Sequence, residues 1–316
     1  MKHLLALLFV LVGAPALAQY PTRPIHLIVP IPPGGAPDIA ARLIGAKLSE
    51  SLGQPVVIEN KVGSNGNIAT DYLAHSEPDG YTLALIADSQ VAINPHIYRK
   101  MTIDTLKDLT PVSTVASNQF VLAINPALPP KTFPEFIEYA KKANPPLAYA
   151  SGGNGSQHHL TMEMLKRRAG IDMVHVPYKG GSPATMATVS GETAAMWAGS
   201  SNAGQIKAGK LRALAVSGAS RSPQHPELPT IGEFYPGFAN SIWLGIFGPA
   251  GLPGPVVERL RAELKRALES SDLKGKFNSS GGLEPYVVQG AEFNDLIRRD
   301  YEKYGKVVKE IGIRLD

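Results

Sequence analysis

Three loops carry the residue types that can hold a small anion. The first is Pro30-Ile31-Pro32-Pro33-Gly34-Gly35-Ala36-Pro37-Asp38, where a strand-like run meets a helix start. Its glycines let backbone N–H groups point into open space. A helix N-terminus adds unpaired donors and roughly +0.5 of an elementary charge, so an anion can bind there without any charged side chain. Asp38 is expected to cap this helix, since a carboxylate would repel an anion at the same place. The second loop, Ser151-Gly152-Gly153-Asn154-Gly155-Ser156-Gln157-His158-His159, repeats the arrangement. Ser151 and Ser156 add hydroxyls, and a helix is expected to begin near His158. The third, Val174-His175-Val176-Pro177-Tyr178-Lys179-Gly180-Gly181-Ser182, offers the Tyr178 ring and hydroxyl and the Lys179 charge. Tyr178 can equally be a packed loop aromatic, and Lys179 a solvated surface charge.

Other chemistries fit these residues less well. No Lys-Ser or Lys-Thr follows the second loop's glycines, so it is not a phosphate-binding Walker loop. Gly153-Asn154-Gly155 lacks the third glycine of a dinucleotide fingerprint. His158 and His159, with Glu163 four residues beyond, suggest a metal at first sight. Adjacent histidines point to different faces of a helix, however, so no metal site is expected. A Gly-x-Ser-x-Gly elbow is absent, there is no cysteine nucleophile, and nothing suggests paired carboxylates. The expectation is a binding protein with no catalytic residue and no cofactor.

The elements that position these loops alternate strand and helix. Ile25–Val29 reads as a buried strand, a helical spacing runs from Ile39 to Leu52 before Gly53, and Val56–Glu59 is a second strand. A helix over Ile68–His75 and a strand over Tyr81–Ala87 follow. A second series starts at Phe120–Ile124 and continues through a helix at Phe133–Ala140 and a strand at Ala148–Ala150. It goes on with a helix at His159–Ala169, a strand at Met173–Val176, a helix opened by Ser182-Pro183, and strands at Ala194–Ala198 and Leu211–Ser217. Two such series imply two α/β lobes with mostly parallel sheets flanked by helices. The C-terminal part is helical.

Length and charge agree with this. The chain has 316 residues, enough for two domains, and no cysteine. Lys2 and His3, an apolar run over Leu4–Val12 and the pattern Ala16-Leu17-Ala18 are laid out as a secretory signal peptide over residues 1–18. Cleavage is expected between Ala18 and Gln19, so the mature chain is expected to be exported. The 31 basic and 27 acidic residues leave a net charge of +4 without a clustered basic stripe, so no nucleic-acid partner is expected.

Several motifs in order carry a resemblance. They are Tyr20-Pro21-Thr22-Arg23-Pro24-Ile25, Pro30-Ile31-Pro32-Pro33-Gly34-Gly35 with Asp38, and Glu59-Asn60-Lys61-Val62-Gly63 with Gly66-Asn67-Ile68. They continue with Pro78-Asp79-Gly80-Tyr81-Thr82-Leu83, Val176-Pro177-Tyr178-Lys179-Gly180, Gly209-Lys210-Leu211-Arg212-Ala213-Leu214-Ala215, and Pro229-Thr230 with Glu233. From about Tyr20 to Asp316 the chain resembles the Bug family, the extracytoplasmic receptors of tripartite tricarboxylate transporters. The resemblance implies a Venus-flytrap fold of the class II periplasmic binding protein type, with crossover strands near Val115–Phe120 and Ser241–Phe247. Lobe 1 would comprise 19–118 plus 243–316, and lobe 2 would comprise 119–242. The implied ligand is a small organic acid, and the implied binding residues are Gly34, Gly35, Asp38, Ser89, Ser151, Gly155, Ser156, His159, Tyr178, Lys179 and Gly180. The implied partner is a membrane permease, served by a monomer. Two alternatives are a receptor signalling to a membrane sensor kinase and an enzyme on the same fold. Many relatives carry acidic residues where this chain has Ala194 and Ala198, which favours a plain carboxylic acid over an amino acid.

Overall fold

The computed structural model describes residues 20–199, 202–279 and 283–315. The leader expected over residues 1–18 and its cleavage point lie outside the described residues. The first strand–helix series builds β1 (Ile25–Val29), α1 (Ala36–Leu52), β2 (Val56–Asn60), α2 (Asn67–Ala74) and β3 (Thr82–Ala87). One turn of π-helix over Ser89–Ile93 and the short α3 (Asn94–Ile97) follow. β4 (Leu109–Gln119) then runs directly into β5 (Val121–Ile124). The second series is α4 (Phe133–Lys142), β6 (Leu147–Ser151), α5 (Gln157–Ala169), β7 (Met173–Pro177) and α6 (Gly181–Ser190). It ends with β8 (Ala195–Ala198), α7 (Ala203–Lys207) and β9 (Arg212–Val216). The chain returns through β10 (Ser241–Pro249), α8 (Gly254–Glu269), α9 (Ser271–Ser279), β11 (Glu284–Pro285) and α10 (Gly290–Ile311).

Two sheets result. Their strand orders are β11-β4-β10-β3-β1-β2 and β7-β6-β8-β5-β9. The strands of the strand–helix units pair in parallel: β1 with β2 and β3, and β6 with β7 and β8. The strands that carry the chain between the sheets pair antiparallel, so both sheets are mixed. β10 lies between β3 and β4, and β5 lies between β8 and β9. β1 is apolar almost throughout because neighbours cover it on both edges and both faces.

The chain leaves the first sheet at Phe120 and comes back at Asn240. Ser217 ties these passages together. Its hydroxyl accepts from the Phe120 N–H (3.0 Å) and donates to the Asn240 carbonyl (2.6 Å). Its backbone bonds Phe120 and Asn240 as well. Each sheet has its own core. Ile25, Leu27, Leu85 and Leu264 pack in one, and Phe120, Phe136, Tyr149 and Leu165 in the other. Such side chains contribute about 1.5–3 kcal/mol each when fully buried. Trp197 is fully buried in the second core and faces no cleft.

Helix starts differ from the sequence expectation. α5 begins at Gln157, with Ser156 as N-cap accepting from the His159 N–H. α6 begins at Gly181 behind Gly180, whose φ of 106° needs a glycine, so Ser182 is inside the helix and not its cap. α1 starts behind Gly35, and Asp38 does not cap it.

Candidate ligand-binding cleft

Between the sheets lies a cleft of about 340 Å³. The first strand–helix series lines it with Pro30, Ile31, Ala36 and Pro37, then with Asn65, Ala87, Ser89 and Gln90. The second contributes Gly152, Ser156, Gln157 and His158 from the loop into α5, and Gly180 and Gly181 from the start of α6. Asn118 of β4, Ile242 and Leu244 of β10, and Leu283 complete the wall. Three helix starts therefore reach one space: α1 from one side, α5 and α6 from the other. α1 and α6 carry no side-chain cap. Their first-turn N–H groups and dipoles favour negative charge.

Among the described residues, no aspartate, glutamate, lysine or arginine lines the cleft. His158 is the titratable side chain there, and its ring packs on Phe120 with centroids 4.6 Å apart. Burial pushes its imidazole down to about 4, so it is neutral at pH 7. The polar groups of the first series are held by one another. Gln90 accepts from the Ala87 N–H (2.8 Å) and donates to the Asn65 carbonyl (3.0 Å). Asn65 has φ 52°, a left-handed conformation that asparagine tolerates, and donates to Asn94 Oδ1 (2.8 Å).

Of the residues singled out in the sequence, Ser89, Ser156 and Gly180 line the cleft. Gly34, Gly35, Asp38, Ser151, Gly155 and His159 lie behind it, and Tyr178 and Lys179 lie outside it. Asp38 is buried, and its carboxylate accepts from the Gly34 N–H (2.9 Å), from Arg42 Nε and Nη2 (2.9 and 3.0 Å) and from Asn60 Nδ2 (2.9 Å). It therefore clamps the Gly34-Gly35 loop and does not face the cleft. Gly35 is closely approached by the Ile31 side chain, whose terminal methyl would have to shift to admit a Cβ. Ser151 Oγ meets His175 Nε2 (2.6 Å) and the Gly153 N–H (3.1 Å). Gly155 has φ 73° and sits against Ile97, where an added Cβ would come within 2.5 Å. His159 points inward, stacks on His175 at 3.7 Å and accepts from the Gly155 N–H. Tyr178 donates to Glu192 (2.7 Å), and Lys179 is exposed.

The comparisons decide the family. The model of the tripartite tricarboxylate transporter family receptor, TctC, matches residues 40–313. Protein BugT of Bordetella pertussis is 35% identical over 308 residues, covering 96% of this chain and 94% of its own. A solved periplasmic transporter is 38% identical with a TM-score of 0.83, covering 94% of this chain and 100% of that one. Rpa4515 of R. palustris, solved with adipate, is 33% identical with a TM-score of 0.84, covering 93% and 99%. MatC of Rhodopseudomonas palustris, solved with malate, is 31% identical with a TM-score of 0.78, covering 92% and 100%.

The chain belongs to the TctC/Bug receptor family. It is a solute-binding receptor of the periplasmic-binding-protein fold, and its family is not one of enzymes. Among the described residues no helix is long and apolar enough to cross a membrane. Sequence reasoning passed over several lining residues of this receptor. His158 and His159 read alike in the sequence as polar residues for the cleft or its loop, and the family resemblance implies only His159. Helix register separates such neighbours by about 100°, and His158 is the one that lines the cleft. Ile242, Leu244 and Leu283 carried no motif, because a lone apolar residue reads alike in a core and in a cleft wall.

Proposed function

We propose that this receptor captures a small organic carboxylate in the cleft and delivers it to the membrane permease of a tripartite transporter. The observation that carries the reading is the convergence of the α1, α5 and α6 starts on a space that, among the described residues, no charged side chain lines. Such a site offers N–H donors and partial positive charge, which suit a carboxylate and give an ammonium group no partner. The adipate and malate bound to two relatives support the same chemistry. The binding residues would be Ser89, Ser156, His158, Gly180 and Gly181, steadied by Gly34, Gly35, Asp38, Ser151, Gly155 and His159. Tyr178 and Lys179 would stay outside direct contact.

The lobes, residues 19–118 with 243–316 and residues 119–242, would close as two bodies about Phe120, Ser217 and Asn240. Closure follows from the ligand's stronger binding to the shut form, where both lobes' donors are satisfied. The receptor would work as a monomer in the periplasm after removal of residues 1–18. Gly181→Val tests the site. A Cβ at Gly181 meets nothing within 4 Å, and its φ is unrestricted, so the fold should tolerate the side chain that enters the cleft. Calorimetry against a series of organic acids should show binding by the parent and at least a tenfold loss in the variant at an unchanged melting temperature. Failure of every carboxylate to bind the parent, or equal affinity in the variant, would refute the reading.

A further inference from the structure

The cleft has a second feature, opposite in character to its helix starts. β10 projects Ile242 and Leu244, two residues apart, to the same side. Leu283 joins them from the segment before β11, and Ile31 and Ala36 complete an apolar surface from the first loop. Leu244 and Leu283 are buried, packed in the core beneath, so this wall is rigid.

Resting on the carboxylate reading, we propose that the ligand is an acid whose carboxylate is carried on an uninterrupted apolar body. An aliphatic chain of four or more methylenes fits this description, and a compact hydroxylated or tricarboxylic acid does not. The donor side supplies partial charges from three helix starts and no whole cation, which suits one carboxylate and leaves three uncompensated. Hydroxyl groups on the ligand body would lie against Ile242, Leu244 and Leu283 and lose their water without replacement. Methylenes placed there leave water at a gain of about fourfold in affinity each.

The test matches charge within each short and long pair, so that only the chain varies there, and adds a hydroxylated and a tricarboxylic acid as contrasts. Calorimetry at pH 7 compares succinate with adipate, butyrate with hexanoate, and both sets with malate and citrate. The expected result is at least tenfold tighter binding of the longer acid in each pair, with malate weaker than adipate and citrate not bound. Ile242→Asn should reduce the preference for the longer acid in each pair to less than about threefold. Binding of succinate or malate as tight as adipate, or an unchanged chain-length dependence in Ile242→Asn, overturns the apolar-body inference and leaves the carboxylate reading standing. Failure of all of these acids to bind overturns the carboxylate reading itself.

Discussion

Asp38 illustrates how one side chain can prepare a site it does not touch. Burial by itself would raise its carboxyl. The bonds from Arg42, Asn60 and the Gly34 N–H outweigh that and hold it below the ordinary aspartate range. A carboxyl lowered in the folded state contributes stability above its unfolded value, near 3.8, and loses that contribution as pH falls through the folded value. Asp38→Asn should therefore cost about 1.5–3 kcal/mol in urea unfolding at pH 7, with the gap to the parent narrowing below about pH 4. A constant gap at both pH values would mean that the charge plays no part. The residue was legible as important but its partner was not. A short acid near a helix start looks the same as a cap and as a loop clamp, and only the φ of 89° at Gly34 turns its N–H toward Asp38. His159 sits behind the cleft for a similar reason. The helix begins at Gln157, so His158 faces the cleft and His159 the stack on His175.

At the scale of elements, α5 joins stability to binding through Ser156. The hydroxyl caps the helix by accepting from the His159 N–H, and the same residue lines the cleft. Ser156→Ala removes the cap and should lower stability by about 1 kcal/mol. Ser156→Asp restores a capping oxygen but sets a negative charge where the ligand's charge belongs. It should keep the parent's melting temperature and lose ligand affinity by more than tenfold. Equal ligand affinity in Ser156→Asp and the parent would place the anion elsewhere. The strand–helix units were legible because apolar runs such as Ile25–Val29 and Met173–Val176 end at glycine or proline signals. The full length of β4 was not. Its residues Leu109–Gln119 are rich in serine and threonine, and they form a strand because β10 and β11 pair on either side. The π-helical turn at Ser89–Ile93 has no short-range signature, since its register is set by packing against α10.

At the scale of the whole molecule, two strand–helix series were enough to predict two sheets, but the contacts that hold the sheets together come from residues far apart in sequence. Asp88, at the end of β3, accepts a hydrogen bond from Gln157 Nε2 on α5. Gln157 also donates to the Tyr304 hydroxyl (3.1 Å), and that hydroxyl donates to Asn240 Oδ1 (2.8 Å). Asp88 is fully buried, and its Oδ1 has no hydrogen-bond partner among the described residues. Burial, followed by the nearby Asp300, pushes its carboxyl up to about 8, against the opposing effects of Gln157 and Lys303. With the lobes together Asp88 therefore keeps its proton at pH 7, whereas in a parted, hydrated cleft it would ionise near 3.8. A carboxyl raised in this way favours the joined arrangement below about pH 4 without penalty and weakens it progressively as pH rises toward 8. For an acid ligand that is fully ionised above pH 6, affinity should fall between pH 6 and 8, by at most tenfold per unit. Asp88→Asn keeps an acceptor for Gln157 and has no proton to lose. Calorimetry at pH 6, 7 and 8 should show affinity nearly constant in the variant and above the parent's at pH 8. Parallel pH profiles in the two proteins would show that Asp88 does not couple protons to the joining of the lobes.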